Sequence, residues 1–186
     1  MTLLVLGLVL WTAAHFFKRL APRARAGLTQ SLGAGPSKGV VAAVILVGLI
    51  LTIVGYRRAD FTPLYDPPSW GVHLNNLLML IAVGLFATSH SKSRVRGWLR
   101  NPMLTSVVVW AVAHLLVNGD VASLVLFGWL GLWALVNILT IDAQDPAKPA
   151  PVASVAGDVR LVVITLVVFA VIVAIHTWLG YPPFPQ

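Results

Sequence analysis

Histidine is the side chain best placed to do chemistry in this sequence, because cysteine and buried carboxylates are missing. There is no cysteine, which excludes disulfides, thiolate metal ligands, covalent c-type haem attachment and cysteine nucleophiles. All six acidic residues are aspartates (Asp60, Asp66, Asp120, Asp142, Asp145 and Asp158), and each falls outside the long apolar runs. No buried carboxylate pair is therefore available for acid–base work or a two-metal site. Among the five histidines, His73, His90 and His176 fall near the ends of apolar runs, where an imidazole meets water or headgroups at little cost. His15 and His114 sit deeper, and a polar, titratable side chain at membrane depth marks a functional site by default.

Each of these two has an indole one helical turn behind it. Trp11 and Thr12 precede His15, and Trp110 and Ala111 precede His114 at matching offsets. Small residues leave room for a planar ligand, and indoles supply flat walls. Helix rise alone puts His15 ~21 Å from the outer start of its run and His114 ~18 Å from the inner start of its own. In a hydrocarbon core of ~30 Å, those depths differ by less than ~10 Å. Two imidazoles on opposite faces of one iron are geometrically allowed at that offset. Equally open, on these residues alone, is hydrogen bonding of each ring to Asn, Ser or a backbone carbonyl inside a helix bundle. No two histidines stand four apart, so zinc-protease and di-iron helix patterns are excluded.

The elements that must position these residues are membrane helices. Of 186 residues, 58% are hydrophobic and only 10% charged, against ~25% charged in soluble domains. Apolar runs at 1–17, 39–56, 73–90, 102–117, 121–141 and 159–179 are each near the ~20 residues needed to cross a bilayer. The first ends in Lys18 and Arg19 with no small-residue cleavage site after them, so it is read as a retained helix. The net charge of +7 resides in loops beside the runs, a topology signal rather than a nucleic-acid surface. Placing loops 18–38, 91–101 and 142–160 on the cytoplasmic side puts all thirteen Lys and Arg there except Arg57 and Arg58. The expectation is an all-α, polytopic bundle of six spans with both termini outside, forming a single transmembrane domain over 1–186. Within it, Pro102 opens the fourth span, Asn118, Gly119 and Asp120 turn its far end, and the loop between spans two and three holds Pro63, Pro67, Pro68 and interfacial Phe61, Tyr65 and Trp70.

Nearly the whole chain resembles the NnrU family of membrane proteins. The resemblance is carried by His15 with Lys18 and Arg19; by Gly55, Tyr56, Arg57 and Ala59; and by Leu64, Tyr65, Asp66, Pro67, Pro68 and Trp70. It continues in Pro102, Met103 and Leu104, and above all in Trp110, Ala111, His114, Leu115, Leu116, Asn118, Gly119 and Asp120, running into Ser123, Leu124, Leu126, Phe127 and Gly128. That family is named for an association with nitrite and nitric oxide metabolism in denitrifying bacteria, and its domain type is similar to that of the plastid 15-cis-ζ-carotene isomerase, a haem b protein. The resemblance implies a multi-pass protein of the bacterial inner membrane. It also implies haem b held by His15 and His114, with Trp11, Trp110 and Ala111 around the cofactor. In two places the chain departs from its relatives: Asn101 stands where the family usually has histidine before the proline, and Ala111 replaces the isomerase's cysteine, so isomerase activity is not implied.

Three functions follow. The first is a haem b protein of nitrogen-oxide metabolism that is redox-active or responsive to nitric oxide. The second is a non-catalytic assembly partner for a nitrogen-oxide reductase or its maturation machinery, with the lipid bilayer as the common partner of both. The third is a membrane methyltransferase, suggested by Arg100 and Pro102 but weakened by Asn101 between them and by the absence of glutamate.

Overall fold

A computed structural model describes residues 1–144 and 152–184. Part of the Pro- and Ala-rich loop anticipated at 142–158 lies outside the described residues. The elements in chain order are α1 (Thr2–Leu20), α2 (Pro22–Leu32), α3 (Ala34–Arg57), α4 (Gly71–Thr88), a 3₁₀ turn (Arg94–Gly97), α5 (Pro102–Leu115), α6 (Val121–Gln144) and α7 (Val155–Trp178). The protein is all-helical among the described residues, and α1, α3, α4, α6 and α7 are each long and apolar enough to cross a bilayer. The fourth anticipated span is shorter than expected. At 14 residues, α5 rises ~21 Å, less than the ~30 Å of a hydrocarbon core.

The connection anticipated at 18–38 contains a helix of its own. Pro22 supplies a first helical position that has no N–H to satisfy. The Arg and Ala residues that follow favour helix, and Gly33 at φ 84° ends it. An internal bond from Arg25 Nη1 to Thr29 Oγ1, at 2.6 Å, supports this basic helix.

The described residues fall into two compact units. The first comprises Met1–Pro63 with Asp120–Leu126. Its centre is the pair α1 and α3, whose backbones approach closely because α3 presents Gly48, Thr52 and Gly55 on one face. A Cβ on Gly48 would stand 2.8 Å from Trp11 N, and one on Gly55 would run into the Leu4 backbone. Close approach of this kind holds helices together where lipid removes the hydrophobic drive for association. Thr52 Oγ1 donates to Gly48 O at 2.8 Å, leaving its hydroxyl proton satisfied within the seam. Asp120 caps the start of α6 by accepting from Ser123 N at 3.0 Å and from Ser123 Oγ, and Tyr56 Oη meets the same hydroxyl at 2.8 Å.

The second unit comprises Leu64–Gly119 and Phe127–Gln186. Here α4 packs against α5 and α7. Two polar clamps fix the helix ends. Arg94 Nε meets Asp158 Oδ2 at 2.7 Å in the first turn of α7, where Ser154 Oγ also caps by accepting from Gly157 N at 3.0 Å. Arg100 Nε and Asn101 Nδ2 both reach Asp142 Oδ1 at 2.9 Å, joining the start of α5 to the end of α6. At the other end of α5, the segment 64–68 folds back over the turn. Leu64 N donates to Gly119 O at 2.8 Å, and the Tyr65 hydroxyl is shared between Leu115 O and Asn118 O. Those contacts supply partners for carbonyls that a terminated helix leaves unpaired.

Burial runs opposite to that of a soluble domain. Besides Leu4 and Leu8, the residues most fully enclosed are small, Ser37, Ser93, Ser123, Thr88, Ala113 and Ala134, whereas Leu46, Val47, Leu132, Leu139 and Val167 are exposed. Large aliphatic side chains turned outward are what a hydrocarbon solvent accommodates.

Candidate functional site

His114 lies in the last turn of α5, enclosed by two aromatic rings of the second unit. Trp110, one turn earlier, has its ring centroid 5.0 Å away, and Phe127 of α6 stacks on the imidazole at 4.6 Å and 27°. Trp110 and Phe127 meet edge to face at 5.0 Å, so the three rings form one cluster. The imidazole is also oriented. Its Nδ1 lies 2.9 Å from Trp110 O, and since a carbonyl oxygen only accepts, Nδ1 carries the proton. Nε2 is then the nitrogen with the free lone pair. In metal-ligating histidines, a backbone carbonyl behind the ring fixes tautomer and direction in this same way.

His15 repeats the device in the first unit. Its Nδ1 lies 2.8 Å from Trp11 O, and the Trp11 ring is 3.9 Å from the imidazole, tilted by 41°. The glycine seam governs its placement, because Gly48 is what allows Trp11 of α1 to lie against α3. His114 thus presents Nε2 as a potential iron donor, and His15 shares its Nδ1 fixation and the indole on one side.

One further side chain joins the site and another histidine repeats the carbonyl fixation, and neither is singled out as a site residue by the sequence. Phe127 stacks on His114, a pairing set by which faces of α5 and α6 meet; its only sequence signal is its place in the stretch after Asp120. His176, expected at the interface, has Nδ1 2.8 Å from Ile172 O, the same carbonyl fixation, and lies within electrostatic range of His114. Its signal is the position itself, late in a long apolar helix with an intact carbonyl one turn behind.

Ala111 is buried against α6, its Cβ 3.0 Å from where a Cβ on Gly131 would stand, so it sets how closely α5 and α6 approach. Asn101 is occupied structurally, as a hydrogen-bond donor to Asp142. His73 is exposed, and His90 is exposed with an edge contact to Phe86 at 6.4 Å. Among the described residues, no three His, Cys, Asp or Glu side chains converge in a way that would hold a bare metal ion. A haem iron needs only two axial donors beyond its own ring nitrogens, and imidazoles in the Nδ1–H form suit that role.

Comparison with protein-family models matches residues 3–183 to the one described as NnrU protein. No curated protein and no solved structure matches the chain.

Proposed function

The chain belongs to the NnrU family, and from that premise we propose that it is an integral membrane haem b protein of nitrite and nitric oxide metabolism, with His15 and His114 as the axial ligands. The observation that carries the proposal is the carbonyl-fixed imidazole inside an aromatic cluster. His114 has Nδ1 on Trp110 O, Phe127 on its face and Trp110 at its side, and His15 has the same relation to Trp11. Haem b would supply a one-electron iron couple and an affinity for nitric oxide. The protein's own contributions are distinct from that chemistry. The Trp110 and Trp11 carbonyls hold the protons on Nδ1, and the rings of Trp110 and Phe127 limit rotation of the His114 imidazole.

The decisive measurement is the absorption spectrum of the full chain extracted from membranes of cells supplied with ample haem. A Soret band is expected, lost in His15→Ala and in His114→Ala and restored in His114→Ala by added imidazole. His73→Ala, at an exposed position away from the aromatic cluster, leaves it intact. Wild-type protein without a Soret band, or haem content unchanged in both alanine variants, would overturn the assignment. In the reduced protein, nitric oxide is expected to shift the band; an unchanged spectrum would separate haem binding from nitric oxide response.

A further inference from the structure

A cavity of about 490 Å³ opens within the second unit between α4, α5 and α7, in the range of small-molecule pockets. One end lies at Trp110 and Ile172, the other at His90, Ser91 and Arg160. From Arg160 to Ile172 the α7 backbone rises ~18 Å, close to the ~15 Å depth of one leaflet in a ~30 Å core. The walls are apolar, and Phe86, Ile164 and Val168 on its rim are exposed, which opens the cavity sideways toward hydrocarbon.

Charge separates the two ends. Arg160 has no hydrogen-bond or ion-pair partner among the described residues, and its nearest acid in sequence, Asp158, is taken by Arg94 at 2.7 Å. Asp142 is likewise held, by Arg100. The adjoining segment carries Lys92, Arg94, Arg96 and Arg100 with no acid among them. A guanidinium that none of the described carboxylates pairs, at the mouth of a leaflet-deep apolar slot, suits a ligand with an anionic head and a hydrocarbon tail.

We propose that this cavity binds one acyl chain of an anionic membrane phospholipid from the leaflet facing the basic segment, with its phosphate on Arg160 and its chain reaching toward Trp110. His90 and Ser91 border the headgroup. The cavity shares Trp110 with the proposed haem surroundings but includes neither proposed iron ligand, and lipid retention is read separately from the haem spectrum.

Native mass spectrometry of the full chain, delipidated and then offered dioleoyl phosphatidylglycerol or dioleoyl phosphatidylcholine in detergent, tests this directly. The first phosphatidylglycerol adduct is expected to be retained about fivefold better than the phosphatidylcholine one, the factor expected of one basic side chain at an anionic headgroup. Arg160→Gln should bring the two lipids level, Arg160→Lys should keep the preference, and Ala87→Phe, which fills the slot, should reduce retention of both. Equal retention of the two lipids by the wild-type chain, or a preference for phosphatidylglycerol that survives Arg160→Gln, would overturn the proposal. Thermal unfolding of each variant in the same detergent identifies any that fails to fold, and if Arg160→Gln does, Ala87→Phe carries the test, unchanged lipid retention by that variant overturning the proposal.

Discussion

A carbonyl oxygen decides what His114 can do. Because Trp110 O accepts the Nδ1 proton, the lone pair is committed to Nε2 for as long as that turn of α5 is intact. The turn is held from outside the helix by Tyr65, whose hydroxyl serves Leu115 O and Asn118 O together. Tyr65→Phe removes an exposed hydrogen bond and is expected to cost about 0.5–1.5 kcal/mol, read as a lower unfolding temperature in detergent. If the temperature is unchanged, water replaces the hydroxyl and the turn does not depend on it. Asn101 illustrates a different kind of residue. Its sequence signal is only a departure from relatives, whereas the structure gives it the task of sharing Asp142 with Arg100. Both ends of that clamp are partly solvated, so Asp142→Ala is expected to cost less than about 1 kcal/mol in a thermal melt, and a larger loss would mean the clamp is stronger than its exposure allows.

Helices are legible in this sequence to the extent that they are apolar and bounded by strong signals. Pro102 starts α5 and the Asn118–Gly119–Asp120 turn follows its end, as those residue types suggest. The six anticipated spans appear as five long helices and one short one. The basic helix α2 is hidden because its composition is that of a loop, and its helicity rests on Pro22, local propensity and the Gly33 stop. Partner faces are not legible either. A helix that is apolar on every side offers no periodicity that names a neighbour, which is why Phe127 emerges only from the packing. The seam of α1 and α3 is the exception in principle, since its glycines and Thr52 recur on one face of α3. Gly48→Leu forces the helices apart at Trp11 and is expected to destabilise by at least the ~1–3 kcal/mol of an overpacked contact, while also misplacing His15. Its readout is a joint loss of thermal stability and of any His15-dependent signal. Stability retained with Leu at this position would show that the seam can open without harm.

Distribution of charge along the chain makes a prediction about how the protein lies in its membrane. By the positive-inside rule, the basic residues before α3 are expected on the cytoplasmic side and the segment after it, with Asp60 and Asp66, on the other. With no native cysteine, single-cysteine variants report cleanly. Gln30→Cys is expected to react with an impermeant maleimide only after the membrane is opened, and Asp60→Cys in sealed, right-side-out vesicles. The reverse pattern would invert the orientation. Two features that no single run of sequence announces are the grouping of the described residues into two compact units and the slot among α4, α5 and α7. Both depend on which helices touch, and that is settled by small residues scattered far apart in the chain.

The enclosure of Ser, Thr, Ala and Gly, with Leu, Val and Ile turned outward, also governs how the protein tolerates mutation. In a soluble domain, trimming a large buried residue is the damaging change. Here the sensitive positions are those where there is no volume to spare, such as Gly7, Gly55 and Gly157, each with another backbone where a methyl group would go. Aliphatic exchange at Leu46, Val47 or Val167 meets only lipid. A saturation library of this gene should therefore drift freely at its outward-facing aliphatics and stay fixed at Gly7, Gly55 and Gly157.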